Sequence, residues 1–188
     1  FGSPTVAGAQ GGVFLVDTSA AMPPQAISFI ARQLSFMLET WAVQAMEVEG
    51  EEEVAVPMFN CVAAAGPNCA KLSDCVKPAR RGMIDILPPW FTQHEDTSQA
   101  GFNMVRALKM ALRLADGKVP VYVITGALSR DMFGYTAAEV FDVIEADTKG
   151  HIAAGESVMP VHGIEVHPVD PNIFVQRHGS SVDEEHLE

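Results

Sequence analysis

The sequence predicts an α/β fold: a doubly wound, mostly parallel central sheet flanked by helices. Short apolar segments typical of buried strands alternate along the chain with longer segments that carry apolar residues at helical spacing. The first apolar segment covers residues 12–16 and stops abruptly at Asp17, as a buried parallel strand does. A chain of 188 residues is enough for one domain and short for two. We therefore expect a single domain over residues 1–188, with its core at about 12–167.

The first half of the chain predicts two helical segments and one further strand. Apolar residues at helical spacing over Ile27–Met46 predict a helix, and the two prolines before it suit a first turn. Val54–Val62 predicts a second strand, which Pro57 places at a sheet edge or kinks. Residues 63–78 are typical of a loop, and residues 77–87 predict a short helix or turn.

The second half repeats the alternation of helix and strand. Gln99–Leu114 carries a helical apolar pattern that Asp116 and Gly117 end, and residues 96–98 before it resemble a helix N-cap. Val119–Thr125 predicts a third strand. A helix is expected near Ala137–Asp147, with Gly150 as its stop, and Val158–Val166 predicts the last strand.

Charge narrows the class of partner. The net charge is −12 and the sequence pI is about 4.8. Nucleic acids and anionic lipids both require a basic face, so neither is expected as a partner, whereas a protein with a basic surface fits. Part of the acid lies in a run near residue 50 and in the tail, where a solvated loop and a disordered end explain it better than a dedicated site for a basic partner does. No apolar run reaches the roughly 18 residues of a membrane span.

The cysteines indicate a reducing compartment. Three cysteines leave one unpaired in any disulfide scheme, and no Cys-x-x-Cys pair occurs, so we expect an intracellular protein. The spacing of Cys69 and Cys75 also allows a small loop disulfide. The chain begins at Phe1 without a methionine and ends in Leu187 and Glu188, so we expect the termini to be partly vector-derived or disordered.

Oxygen-bearing side chains follow the first strand. Asp17, Thr18 and Ser19 come directly after it. Open α/β sheets bind their ligands outside the carboxyl ends of the strands. The sequence therefore predicts a functional surface at Asp17 and Ser19.

At these residues the chain resembles the von Willebrand factor A-type domain. The resemblance rests on an apolar strand that ends in Asp-x-Ser, a later loop with Thr97, and a second strand that ends in Ile-Thr-Gly at Gly126. It covers roughly residues 12–167. It implies a central sheet flanked by helices and a role in protein adhesion or assembly. Many members hold Mg²⁺ at a metal-ion-dependent adhesion site, where a carboxylate of the partner completes the coordination.

The resemblance implies an impaired metal site in this chain. Asp17, Ser19 and Thr97 match ligand positions, but Ala21 stands where the family has a second serine and Gly126 where it has an aspartate. Mg²⁺ requires several oxygen ligands in octahedral geometry, so affinity should fall severely unless Asp96 or Asp131 compensates. We expect no cofactor or at most weak Mg²⁺ binding, and a structural or scaffolding module that binds another protein, with self-association left open. The partner-binding residues implied are Asp17, Ser19, Ala21, Asp96, Thr97, Gly126 and Asp131.

Three alternatives remain. In the first, the metal site works and binds a partner carboxylate. In the second, Asp17 and Ser19 only cap the following turn, and Thr97 caps a helix. Haloacid-dehalogenase-like phosphatases also carry an aspartate at a strand end, and there Asp17 would be the nucleophile and Thr125 a phosphate anchor. Those enzymes usually have a second aspartate two residues later, and Ser19 occupies that place. We therefore expect no enzyme activity.

Overall fold

Six strands form one sheet in the computed structural model, which describes residues 11–23, 25–47, 56–126 and 136–166. In chain order the strands are β1 (Gly11–Asp17), β2 (Met58–Ala65), β3 (Asn68–Lys71), β4 (Lys77–Pro78), β5 (Val121–Thr125) and β6 (Val161–Glu165). The helices are α1 (Ala26–Glu47), α2 (Leu87–His94), α3 (Met104–Ala115) and α4 (Ala137–Ala154), with a short 3-10 turn at Arg81–Met83. No described helix has both the length and the apolar character needed to cross a bilayer.

The sheet is mostly parallel, as expected. The strand order is β3-β2-β1-β5-β6, and β4 pairs with β2. β1 runs parallel to β2 and β5, and β5 runs parallel to β6, whereas β3 and β4 are antiparallel to β2. All seven residues of β1 are buried, because a central parallel strand is covered on both faces.

Helices cover both faces of the sheet, which makes the fold doubly wound. Side chains alternate along a strand, so Phe14 and Val16 of β1 pack toward α1 and α2, while Val13 and Leu15 pack toward α3. α4 packs on the α3 side through half-buried residues such as Val143, and it has no fully buried residue. The two cores fix the position of the strand ends between two layers of helices.

The second strand lies later in the chain than predicted. Residues 54 and 55 fall outside the described residues, Pro57 precedes the strand, and β2 runs on to Ala65 through a region expected to be a loop. β2 is also not an edge strand, because it lies between β1 and β3. The carboxamide of buried Asn60 explains part of the difference: it donates to the carbonyls of Ser73 and Cys75 at 3.0 and 2.8 Å and so organises the segment after β3.

Helix boundaries also differ from the prediction. α3 begins at Met104 instead of Gln99, because the backbone of residues 99–103 bonds to other loops and Asn103 serves as the N-cap. α4 passes through Gly150 and ends at Ala154, and its C-cap is Gly155, whose φ of 72° suits a helix terminus. A glycine inside a helix costs only about 1 kcal/mol, and the capping box of Thr136 and Glu139 stabilises the start. Asp116 ends α3 as predicted.

Candidate functional site

Asp17 lies at the carboxyl end of β1 and is the centre of a buried hydrogen-bond cluster. Its side chain is 1% exposed. Oδ1 accepts from the backbone N–H of Ser19 at 2.9 Å and from the hydroxyl of Ser19 at 2.6 Å. Oδ2 accepts from the hydroxyl of Thr125 at 3.0 Å. The carboxylate therefore joins the end of β1, the loop that follows it and the end of β5.

The parallel register explains why Asp17 meets Thr125. Val16 of β1 pairs with Ile124 of β5, so the next residue of each strand lies side by side at the edge of the sheet. Both side chains point to the α3 face, because they alternate with Phe14, Val16 and Ile124 on the other face. Ser19, two residues after the aspartate, closes an Asx-type turn by donating its backbone N–H to Oδ1, the oxygen that Thr125 does not contact.

Hydrogen bonds join the segment after α2 to the loop after β1. The hydroxyl of Thr18 donates to the carbonyl of His94 at 2.9 Å, and the N–H of Asp96 donates to the carbonyl of Thr18 at 2.9 Å. The N–H of Ala20 donates to the carbonyl of Gln99 at 2.8 Å. Thr18 and Ser19 are buried as a result. We call the surface formed by residues 17–22, 94–99 and 125–126 the carboxyl-end face.

Asp96 organises a turn at this face. Its Oδ1 accepts from the N–H of Ser98 at 3.0 Å and from the Ser98 hydroxyl at 2.5 Å. Thr97 and Ser98 of that turn are both exposed. The expectation that residues 96–98 cap α3 is wrong, because residues 99–103 form a loop between this turn and the helix, whose N-cap is Asn103.

Gly126 follows β5 and lies directly under the loop after β1. A Cβ atom at position 126 would lie 2.3 Å from the carbonyl oxygen of Ala21 and 3.0 Å from the Cα of Met22. Real Cβ atoms do not approach backbone atoms so closely, so the two loops pack together only because residue 126 is glycine. The family aspartate expected at this position would displace the Ala21 carbonyl.

The structure brings most of the sequence-derived site residues to one face. Asp17 and Ser19 are in direct contact, Ala21 lies against Gly126, and Asp96 forms a backbone bridge with Ser19. Asp131 lies outside the described residues. Sequence reasoning connected Thr125 only with the phosphatase alternative and missed its contact with Asp17. The signal was available, since both residues follow apolar strands that end at the same edge.

The histidine, cysteine and acidic side chains of the described residues do not assemble into a metal-binding group. No group of three or more histidine, cysteine or acidic side chains among the described residues lies close enough to share a metal ion. Exposed His162 of β6 stacks on the ring of Tyr122 at 4.9 Å on the face opposite Asp17. Cys61 is buried and its thiol pKa is raised by desolvation, and Cys69 and Cys75 are also free thiols, so no loop disulfide forms.

Similarity to known proteins is found at the level of structure. No protein-family model matches the sequence, and no curated protein matches it. A von Willebrand factor type A protein from Catenulispora acidiphila superposes with a TM-score of 0.53 and 14% identity, over 88% of this chain and 40% of that chain. Human COPII-coat protein Sec24c gives a TM-score of 0.38 at 13% identity, over 83% of this chain and 30% of that one. The VWA domain of SpRpn10 gives a TM-score of 0.33 at 14% identity, over 96% of this chain and 99% of that chain.

The first of these likenesses identifies the fold. The other two superpose too loosely to support an argument. This chain spans about 40% of the length of the first structure, and the low identity limits the comparison to architecture. The order and pairing of the strands, together with that superposition, show that this protein has the Rossmann-like α/β fold of a von Willebrand factor A-type domain.

Proposed function

We propose that this protein is a non-catalytic protein–protein interaction module whose partner docks on the carboxyl-end face without a metal ion. The observation that carries the proposal is the state of Asp17. Its two carboxylate oxygens accept three hydrogen bonds from protein donors, and its side chain is buried. A carboxylate satisfied in this way holds loops in place, and the exposed residues around it are then free to contact a partner.

The donor set fits Mg²⁺ poorly. The hydroxyl of Ser19 already donates to Asp17 and accepts from the N–H of Ala21 at 3.2 Å. Ala21 and Gly126 supply no side-chain oxygen, and the carbonyl of Ala21 fills the space that a side chain at 126 would need. An octahedral Mg²⁺ site requires several oxygens arranged around one open point. These observations support an impaired metal site over a working adhesion site.

The same burial argues against phosphatase chemistry. A nucleophilic aspartate must present a free carboxylate oxygen to the phosphorus atom. Asp17 is enclosed, and Thr125 donates its hydroxyl to Asp17 instead of facing an open anion site. Ser19 in the place of an acid–base aspartate also binds Asp17. We therefore propose no catalytic role for this edge.

Charge favours a partner with a basic surface at this face. Glu95 and Asp96 directly follow α2, and Glu165 is the last residue of β6. Together with the net charge of −12, they favour association with cationic side chains by electrostatic steering. Three free thiols are consistent with a reducing, intracellular setting, which we also propose.

Site-specific photo-cross-linking tests the docking face. A photoreactive amino acid replaces exposed Thr97 at the carboxyl-end face, and in a control protein it replaces exposed Lys118, which precedes β5 at the opposite end of the sheet. The proposal predicts a discrete protein adduct from position 97 in extracts of the source cells, equal in the presence of Mg²⁺ or a chelator. No adduct above the Lys118 control, or one abolished by the chelator, would contradict it.

A further inference from the structure

The outer face of α3 carries an unusual concentration of positive charge for so acidic a protein. Arg106, Lys109 and Arg113 are exposed and spaced three and four residues apart, which places them on one side of the helix. We call these three residues the basic stripe. It extends over about 10 Å along the axis of α3, at about 1.5 Å per residue. The chain has 12 lysines and arginines in all against 24 acidic residues, so the clustering is a local exception.

The cations of the stripe form no ion pair within the described part of the chain. Lys109 and Arg113 form no ion pair with any described carboxylate. Arg106 donates through Nη1 to the carbonyl of Pro67 at 2.8 Å, a neutral acceptor that fixes the guanidinium in position and leaves its charge intact. Clustered cations attract carboxylates more strongly than isolated surface charges do.

A groove runs beside the stripe, between α3 and the segment after β3. Its volume is about 520 Å³, and the three cations of the stripe line it together with Lys71, Met110 and Leu114. Lys71 pairs with Asp74 at 2.9 Å, so the only carboxylate that lines this groove is already engaged. The groove therefore combines the apolar side chains of Met110 and Leu114 with three cations that form no ion pair with a described carboxylate.

A second groove of about 630 Å³ lies on the other side of the stripe, against α4, and differs in charge. Lys109 and Arg113 of the stripe line it together with three carboxylates, those of Glu139, Asp142 and Asp147, so its charge is mixed. At physiological ionic strength the Debye length is about 8 Å, so an occupant responds mainly to the charges nearest to it. The groove beside β3 is the one that favours an anionic occupant.

From this charge pattern we infer that the basic stripe and its groove form a second docking surface, for an acidic amphipathic segment of a partner protein. The occupant carries carboxylates toward Arg106, Lys109 and Arg113 and apolar side chains toward Met110. The inference goes beyond the proposed function, because it concerns a different face of the molecule and a partner segment of opposite charge. Binding here does not depend on what docks at the carboxyl-end face.

The test uses a fluorescein-labelled synthetic peptide of 16 residues with glutamate and leucine at helical spacing. Its binding to the full chain is measured by fluorescence anisotropy at low and at physiological salt. Reversal of two charges of the stripe, Lys109→Glu with Arg113→Glu, should raise the Kd at least about tenfold, because attraction is replaced by repulsion. The milder pair Lys109→Gln with Arg113→Gln should have a smaller effect in the same direction.

The matched control changes the net charge equally at another place. Lys118 and Lys149 are exposed and already paired with Asp116 and Glu145, and the double variant Lys118→Glu with Lys149→Glu should leave the Kd within about twofold. Circular dichroism confirms that each variant is folded. Equal losses in the two double variants, or equal binding of a peptide with glutamine in place of glutamate, would overturn the inference. Self-association that the stripe variant abolishes would assign the groove to a second copy instead and would also overturn it.

Discussion

The hydroxyl of Thr125 donates a hydrogen bond to Oδ2 of Asp17 across 3.0 Å, although the two residues are 108 positions apart in the chain. Both are buried, with exposures of 0% and 1%. A neutral hydroxyl and a carboxylate in a nearly dry environment form a strong contact, and losing one partner leaves the other unsatisfied. The contact therefore joins β1 to β5 at the edge where the candidate site lies.

Replacing Thr125 with valine tests the strength of this contact. Valine keeps the shape of the side chain and removes its donor, so the free energy of unfolding should fall by about 2 kcal/mol. Thr125→Ser keeps the hydroxyl and should lower the free energy of unfolding by less than Thr125→Val does. Urea denaturation measures both. The control is Thr40→Val, which removes an exposed hydroxyl on α1 that bonds to the carbonyl of Phe36; it should change stability by less than about 0.5 kcal/mol. Equal effects at positions 125 and 40 would contradict the assignment.

The close packing of Gly126 under Ala21 gives a second prediction. Gly126→Ala places a Cβ 2.3 Å from the Ala21 carbonyl oxygen, so the loop after β1 must shift and stability should fall by about 2 kcal/mol or more. Gly150 is the natural control, because a Cβ there meets nothing within 4 Å in the interior of α4. Gly150→Ala should stabilise the protein by about 0.5–1 kcal/mol. Thermal unfolding of the two variants should therefore shift in opposite directions.

His151 on α4 should make stability depend on pH. Its Nδ1 lies 2.6 Å from Oε2 of Glu156, and this hydrogen bond, with the nearby charges of Asp147 and Asp116, raises the pKa of the imidazole above 6.5. A histidine whose pKa is raised by folding stabilises the native state, and the stabilisation is complete at pH values below the ordinary pKa. That contribution disappears as the pH rises through the raised value.

Glu156→Gln tests this linkage. The substitution should lower the pKa of His151, measured by NMR titration of the imidazole. It should also destabilise the protein more at pH 5.5 than at pH 8.5. Glu145→Gln is the control, because it removes a carboxylate of α4 that pairs with Lys149 instead. A pKa of His151 that is the same in the wild type and in Glu156→Gln would refute the explanation.

The three thiols should react at three different rates. Cys75 is exposed, Cys69 is half-buried with its thiol pKa raised by desolvation, and Cys61 is buried with its pKa raised further. Since the thiolate is the nucleophile, a disulfide reagent at pH 8 should modify Cys75 first, Cys69 more slowly and Cys61 only on unfolding. Cys75→Ser should remove only the fast phase. A fast phase that survives this substitution would contradict the structure.

Much of the fold could be predicted from the sequence, because the spacing of apolar residues distinguishes strands from helices. The buried strand at residues 12–16 and the apolar stripe of α1 follow directly from hydrophobic spacing, and the alternation of strands and helices gave the doubly wound sheet. The start of α3 was not predictable in this way. Residues 99–103 fit the helical pattern, but their backbone groups bond to Ala20 and Gly66, which are distant in sequence.

In the candidate site, too, local contacts could be predicted from the sequence and long-range contacts could not. The motif Asp-x-Ser placed Asp17 and Ser19 together, and their contact is local. The packing of Gly126 against Ala21 depends on how two loops approach each other, and no local pattern encodes that distance. Long-range contacts of this kind follow from strand register, which the sequence alone leaves open.

The central claim is that Asp17 is held by protein donors in place of a metal ion, and isothermal titration calorimetry tests it most directly. Chelator-treated protein is titrated with Mg²⁺ and then Mn²⁺ to millimolar concentration, with Asp17→Asn as the control for ions that bind the acidic surface. The account predicts no saturable heat that distinguishes the wild type from the variant. Saturable binding in the wild type that a folded Asp17→Asn protein loses would contradict it and restore a metal-dependent adhesion site.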